Sequence, residues 1–194
     1  MANRYVYSGA GGSGTGADWA NAHTTLTAAI SAGAAGDVYF VAHDHAETQA
    51  SSLVLTFKGT AATPDRILCV NRAGSVPPVA ADLTTGGSVT TTGASNIQIA
   101  GNFYCYGIAW NCGTGATSSE LRPGASAGTQ SYEACSFNLL TTATASRIAC
   151  GNGSSAGVTW VNCTVSFGNA SQGFRQDGGR LTWRGSPTSA VVTG

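Results

Sequence analysis

The second half of the chain repeats itself, and this repeat constrains the fold more than any other feature. Leu121, Ile148 and Phe174 occupy matching positions at intervals of 27 and 26 residues, and Cys135 and Cys163 match at an interval of 28 residues. Between them lie short apolar runs separated by Gly, Ser, Thr and Asn, with no helical pattern. A period of this length, made of strands and turns, indicates stacked coils, because one coil cannot bury its own apolar side chains.

Stacking places equivalent residues in columns, so we expect Cys135 to lie near Cys163 and Tyr132 near Trp160. Strands of neighbouring coils then pair in parallel, and Gly and Asn suit the corners because they adopt positive φ values. The pattern predicts an all-β fold, a right-handed parallel β-helix. A β-sandwich would show hairpin turns about 8–12 residues apart, and a propeller blade runs to about 40–45 residues, so we set both aside.

One short amphipathic helix precedes the strands. Asp18 is its predicted N-cap, and Gly33 and Gly36 end it. Its apolar stripe consists of Trp19, Ala22, Leu26 and Ile30. We expect this helix to cap the first coil, whose backbone would otherwise be unpaired at the open end.

The chain therefore divides into residues 1–36, which hold a strand, a Gly-rich loop and the capping helix, and residues 37–194, which hold the parallel coils. The final stretch, LTWRGSPTSAVVTG, contains no second capping element. We expect that end to be covered by further chain beyond Gly194 or by a neighbouring subunit.

A glycine pattern near the start invites a different interpretation. Gly9, Gly11 and Gly14 match GxGxxG, after a strand and before a helix, as in dinucleotide-binding loops. The predicted helix begins four residues later with its own N-cap, so no phosphate would meet the helix there. No second strand–helix unit follows. We expect neither a nucleotide nor any other cofactor.

Composition limits the partners. Charged residues make up only 9% of the chain, and nine Lys and Arg balance nine Asp and Glu, which disfavours nucleic acid and anionic membranes. No apolar run has the length of a membrane span or of a signal peptide core. Without a secretory signal, the six cysteines are expected to be reduced and buried.

The stretch VAHDHAETQ, residues 41–49, holds two of the three histidines. On an extended strand His43, His45 and Glu47 would share one face, with Asp44 facing away. Two imidazoles and a carboxylate suit a metal ion, so these three residues are a candidate metal site. The interpretation that we favour is a corner after the first long strand, where the histidines form hydrogen bonds or face solvent and no metal binds.

Catalytic groups are sparse. In the aligned repeats Glu120 falls on Arg147 and Glu133 falls on Val161, so no carboxylate stacks on another, whereas glycan hydrolysis needs two carboxylates across a groove. The only lysine is Lys58, and the three histidines all precede residue 46, so neither a lyase base nor a Ser-His-Asp triad is indicated. We expect no catalytic residues and a non-enzymatic protein.

Two sets of residues are candidates for contact with a glycan or a partner protein. They are the tryptophans Trp110, Trp160 and Trp183 and the arginines Arg122, Arg147 and Arg175. If the cysteines are interior, alternation along the strand places Trp160 outside, and an exposed tryptophan row marks an interface. The arginines occupy nearly matching positions and predict a loose basic stripe that contacts an anionic glycan or a partner protein, or else simply solvated side chains on a charge-poor surface.

The N-terminal part of the chain resembles a known group of proteins. The opening YVYSGAGGSGTGADWANAHTTLTAAISAGAAGDVYFVAHDHAET is similar to the start of many pectate-lyase-like β-helix proteins, which combine a strand, a Gly-rich loop, a helix and a Gly-Asp step into the first long strand. The matching residues are Trp19, Ala22, Leu26, Ala29, Gly36 and Asp37. HAETQ and PDRILCVNR most resemble β-helix proteins encoded among the virion genes of tailed phages. The resemblance is good over residues 4–72 and only architectural from residue 94 onward.

The resemblance implies a virion surface protein, a capsid decoration, a head fibre or a short tail-spike-like protein, assembled in the host cytoplasm. It further implies a homotrimer that binds phage capsid or tail proteins and contacts host surface polysaccharide. The missing N-terminal attachment domain of tailspikes favours a decoration or fibre. The alternative that it leaves open is a β-helix lyase or hydrolase that binds or degrades polysaccharide.

Overall fold

The computed structural model describes residues 1–151 and 155–185. The predicted uncovered end falls partly on residues 186–194, which lie outside the described residues. Within the described ranges the chain forms 17 strands, a helix α1 (Leu26–Ala32) and a short 3₁₀ helix (Ala80–Asp82). The strands are β1 (Asn3–Val6), β2 (Val38–Ala42), β3 (Ala46–Gln49), β4 (Leu53–Thr56), β5 (Asp65–Val70), β6 (Ser88–Thr91), β7 (Ile97–Ala100), β8 (Phe103–Tyr106), β9 (Ala109–Cys112), β10 (Glu120–Pro123), β11 (Thr129–Glu133), β12 (Ser136–Leu139), β13 (Arg147–Cys150), β14 (Gly157–Val161), β15 (Thr164–Ser166), β16 (Gly173–Gln176) and β17 (Arg180–Arg184).

The strands form three sheets that the chain visits in a fixed order. Sheet A has the order β1-β2-β5-β8-β11-β14-β17, sheet B the order β3-β6-β9-β12-β15, and sheet C the order β4-β7-β10-β13-β16. From β2 onward every third strand enters the same sheet, so each round of chain adds one strand to each sheet. Strand pairing within the three sheets is parallel, which confirms the predicted all-β class and the predicted direction of pairing.

The register of the pairs follows the sequence repeat. Tyr132 lies opposite Trp160 in sheet A, and Leu121, Ile148 and Phe174 form one column in sheet C. The alignment that placed these residues together is therefore confirmed. Each pair of parallel strands has fixed equivalent positions, so an apolar side chain in one round contacts its counterpart in the next.

The six cysteines are buried and free, as predicted. Cys135 and Cys163 occupy equivalent corner positions in successive rounds, and the Thr164 amide donates to the Cys135 carbonyl oxygen at 2.9 Å. Cys105 lies on β8, and its Sγ atom is 3.7 Å from that of Cys135. Burial raises the pKa of the Cys69 thiol to about 11. These side chains thus behave as small apolar residues of the core.

Aromatic rings run through the core in continuous contact. Phe137 stacks on Trp160 with ring centroids 4.3 Å apart and an interplanar angle of 20°. Further contacts extend this chain of rings in both directions, through Tyr132 towards Phe103 and through Trp160 to Trp183. The rings come from different rounds, so they tie neighbouring rounds together.

The helix is shorter than predicted. Asp18 does not cap it but accepts a hydrogen bond from the Asn21 amide at 2.8 Å, within a turn. Trp19 packs against Tyr5, with ring centroids 4.8 Å apart, in a small cluster separate from the main core. A helix through this segment is prevented because His23 pairs with the end of β1 in an isolated parallel bridge.

α1 instead begins after Thr25, whose hydroxyl accepts a hydrogen bond from the Ala28 amide at 3.1 Å. Leu26, Ala29 and Ile30 are buried in the main core. The predicted apolar stripe is therefore confirmed for Leu26 and Ile30. It is wrong for Trp19 and Ala22, because the segment before Thr25 is not helical and both residues pack in the separate cluster.

Two buried aspartates hold the N-terminal segment in place. The Asp37 carboxylate accepts hydrogen bonds from the amides of Ala2 (2.6 Å) and Ala34 (3.0 Å) and from Nε of Arg4 (3.1 Å). Burial alone would raise the pKa of Asp37, but these hydrogen bonds and the Arg4 charge outweigh burial and lower it. The carboxylate therefore ties the chain start to the segment that follows α1.

Asp65 plays a similar role one round later. It is fully buried and accepts hydrogen bonds from the amides of Gly36 and Gly59, each at 2.8 Å. Burial raises the pKa of Asp65 despite these bonds. The Gly36-Asp37 step of the sequence thus serves to join the N-terminal segment to the sheets.

We predict that Asp37→Asn lowers the free energy of unfolding by about 1–3 kcal/mol at pH 7, because three donors lose a charged acceptor. The folded-state pKa of Asp37 is depressed, so its contribution is complete above the unfolded-state pKa and is lost as pH falls through the folded-state pKa. The difference between wild type and variant should shrink below about pH 4. Urea unfolding followed by circular dichroism at pH 7 and pH 3 measures this. Asp18→Asn, in an exposed turn, is the control, and an equal loss in both variants would contradict the prediction.

We also predict that iodoacetamide at pH 8 labels none of the six cysteines of the folded protein within the time that labels all six in urea. The thiols are buried, and burial keeps the reactive thiolate of residues such as Cys69 scarce at this pH. Mass spectrometry counts the labels. If a thiol of the folded protein reacted as fast as in urea, that cysteine would be accessible to solvent and the prediction would be wrong.

Candidate functional site

The histidine-rich corner does not bring His43, His45 and Glu47 together as three ligands. His43 and Asp44 lie in a turn before β3, so the alternation of a strand does not include His43. The His43 side chain is 43% exposed, whereas those of His45 and Glu47 are buried. The described residues contain no group of three His, Cys, Asp or Glu side chains that could hold a metal ion. The prediction that His43, His45 and Glu47 share one face is therefore wrong.

Glu47 has a structural role instead. Its Oε2 accepts a hydrogen bond from the Leu26 amide at 2.7 Å, at the start of α1. Gln49 donates to Oε1 at 3.2 Å, and Nε2 of His45 lies 3.5 Å from Oε2. A carboxylate at the first turn of a helix satisfies an amide that has no partner within the helix. The motif therefore fastens α1 to sheet B.

The tryptophans do not form an exposed row. Trp110 and Trp160 are fully buried, and Trp183 is partly buried against the core. Trp160 and Cys163 both point inwards because Asn162, between them, adopts a positive φ of 51° that turns the corner. Strict alternation fails across such a residue. The prediction that Trp160 lies outside is wrong, and Trp110 and Trp160 cannot contact a glycan or partner from their buried positions.

The arginines do not form a basic stripe either. Arg122 and Arg147 both form ion pairs with Glu120, and Arg175 pairs with Asp177. In the register of sheet C, Arg147 lies in the column of Glu120, not in that of Arg122. This surface of sheet C therefore carries paired charges of both signs.

All nine Asp and Glu side chains lie in the described ranges, and each is engaged by another group of the protein. Asp44 pairs with Arg72, Glu133 accepts from the Tyr104 hydroxyl at 2.7 Å, and Asp82 accepts from loop amides. The others are Asp18, Asp37, Glu47, Asp65, Glu120 and Asp177, described above. A pair of free carboxylates facing each other across a groove, as glycan hydrolysis requires, is not seen among the described residues.

The described part of the structure also shows a surface groove that the sequence analysis above does not identify. A groove of about 460 Å³ crosses the outer face of sheet A over β1, β2, β5 and β8. Phe40, Leu68 and Tyr104 lie on its floor. The loop after β5 forms its wall with Pro77 and Val79. We take this groove as the candidate functional site.

Alternation explains the floor of the groove. In RILCV and FYCY the inward residues are Ile67, Cys69 and Cys105, which are fully buried, so Leu68 and Tyr104 face outwards. Tyr104 donates its hydroxyl to Glu133 on β11, beyond the groove. Burial and then the Glu133 charge raise the pKa of Tyr104, so its hydroxyl stays protonated. The outward positions of the floor residues thus follow from strand alternation. The path of the loop after β5 does not.

We predict that Trp160→Ala lowers the free energy of unfolding by about 3–5 kcal/mol, because it empties a fully buried position between Phe137 and Trp183. The matched control is Val54→Ala on the outer face of sheet C, where the side chain is 62% exposed and the change should stay within about 0.5 kcal/mol. Urea unfolding gives both values. If the two variants lost similar amounts of unfolding free energy, the result would contradict the burial of Trp160 and support the exposed position predicted from strand alternation.

Compared with known proteins, the chain matches no family model, no curated protein and no solved structure. In the described part of the chain, no helix has both the length and the apolar character that crossing a membrane requires.

Proposed function

We propose that this chain is a right-handed parallel β-helix that serves as a non-enzymatic surface protein of a tailed-phage particle, as a head decoration, head fibre or tail-spike-like protein. The cyclic order of the three parallel sheets supports the β-helix, because a chain that winds in one sense adds one strand per sheet in each round. The resemblance of residues 4–72 to virion β-helix proteins supports the location.

The observation that carries the non-enzymatic role is the use of the carboxylates. Asp37, Glu47 and Asp65 are buried and bonded to backbone amides, and Glu120 and Asp177 neutralise arginines. None is left free to act as the general acid or nucleophile of a glycosidase. The interior is filled by side chains, so chemistry would have to take place on the outer faces.

The proposed role is mechanical. Parallel strands in fixed register, with aromatic rings in contact from round to round, make a stiff unit that resists bending. Such a unit attaches to the particle through an exposed face or an end, and a homotrimer would bury more of its surface. Host glycans are the proposed contact of its remaining outer surface.

The test is mass spectrometry of particles purified from cells whose genome encodes the chain. We predict that the chain is retained through density-gradient purification in a constant ratio to the major capsid protein. Recovery only in the cell lysate, or a ratio that falls with each purification step, would contradict a virion role.

A polysaccharide-degrading enzyme is the second candidate, favoured by one observation. Tyr104 and Glu133 form a hydrogen-bonded pair on the outer face beside the groove, where a sugar can approach. Incubation with the polysaccharide of the host, followed by assays for new reducing ends and for unsaturated products, distinguishes the two roles. We expect neither product, and release that Glu133→Gln abolishes would replace the structural role with catalysis.

A further inference from the structure

We propose that the groove on sheet A binds a short apolar segment of another polypeptide, and that this segment carries one Asp or Glu whose carboxylate pairs with Arg66. The inference rests on the proposed function in one respect, namely that the partner is another protein of the particle. It adds the site and the chemistry of that contact.

The first argument is charge. Among the described residues that line the groove, Arg66 is the only one whose side chain carries a full charge at neutral pH. It is exposed, and no carboxylate of the described residues forms an ion pair with it. Its guanidinium has one polar contact there, with the thioether of Met1 at 3.9 Å. An unpaired cation beside apolar surface is complementary to an anionic group on an apolar ligand.

The second argument is the apolar surface. Val38 and Phe40 form a buried part of the floor, and Leu68 extends it. On the loop side, Val79 lines the groove and is 52% exposed. Val76, which precedes the lining residue Pro77 in the chain, is 64% exposed. Exposed apolar residues that gather beside a groove mark a binding surface.

The third argument is shape, and it favours a polypeptide over a small molecule. The floor crosses four strands, which at about 4.8 Å per step gives a length of about 14 Å. An extended chain advances about 3.3 Å per residue, so about four residues fill it. A segment of this length that lies along the floor also passes the loop wall, where Val79 is 52% exposed.

The test uses an array of capped tetrapeptides in which one Asp or Glu is combined with Leu, Ile, Val, Phe or Met. A matched array carries Asn or Gln in place of the acid. We expect a subset of the acidic peptides to bind the folded chain saturably, with the matched amide peptides binding about fivefold more weakly. Arg66→Gln should weaken the acidic peptides by the same factor and leave the amide peptides unchanged.

Two further variants locate the site. Ala80→Trp fills the groove from the loop side and should abolish binding, and Arg184→Gln, which removes an exposed arginine from β17 on the same sheet, should not change it. Circular dichroism and the urea midpoint confirm that each variant folds. Equal binding to Ala80→Trp and wild type would overturn the inference.

The absence of saturable binding by every acidic peptide up to millimolar concentration would also overturn it. Sodium decanoate is tested in parallel, and binding of decanoate without any peptide would assign the groove to a small amphiphile instead. These results are independent of the particle assay. A chain present in purified particles whose groove binds no peptide keeps the proposed function and loses this inference, and peptide binding by a chain absent from particles does the reverse.

Discussion

Parallel pairing in fixed register between successive rounds is the constraint on which the rest of the structure depends. Because each strand lies beside its equivalent from the previous round, the side chains that face inwards form columns, such as the one that contains Tyr132 and Trp160. Packing between such columns brings the rings of Phe137, Trp160 and Trp183 into contact, and the Sγ atoms of Cys105 and Cys135 lie 3.7 Å apart in the same interior. The ends of the columns need separate devices, and at the N-terminal end these are α1 and the carboxylates of Glu47 and Asp37.

The corners determine which residues the columns contain. Ala134 and Asn162 occupy equivalent corners, and both adopt a φ of 51°, a left-handed conformation that few non-glycine residues take. At each corner the chain turns while the residues on both sides, such as Trp160 and Cys163, remain inward. The corner therefore keeps Cys163, as well as Trp160, in the interior.

Much of the fold was predictable because the repeat reports register directly. The columns of Leu121 and Tyr132 and the parallel pairing follow from aligning the repeats. The buried, free cysteines were expected because the sequence shows no secretory signal. Predictions failed where local conformation departs from a regular period. Alternation does not hold across the turn at His43 or the left-handed corner at Asn162, and the helical stripe does not extend to Trp19, because the intervening chain pairs with β1.

The candidate site was only half predictable for a related reason. Its floor lies on regular strands, so the outward positions of Leu68 and Tyr104 follow from alternation around buried cysteines. Its wall lies on an insertion between β5 and β6 that has no counterpart in the other rounds. Nothing periodic in Pro77 or Val79 reveals that this loop folds back over sheet A, and contacts of that kind are fixed by tertiary packing alone.

The dependence of each round on its two neighbours alone has a consequence for the history of such genes. In-frame duplication or loss of one unit of 26 to 28 codons would lengthen or shorten the protein by one round. Each remaining round would still pair with equivalent strands of its neighbours. Selection can then change the length of the protein one round at a time, while its two ends stay the same.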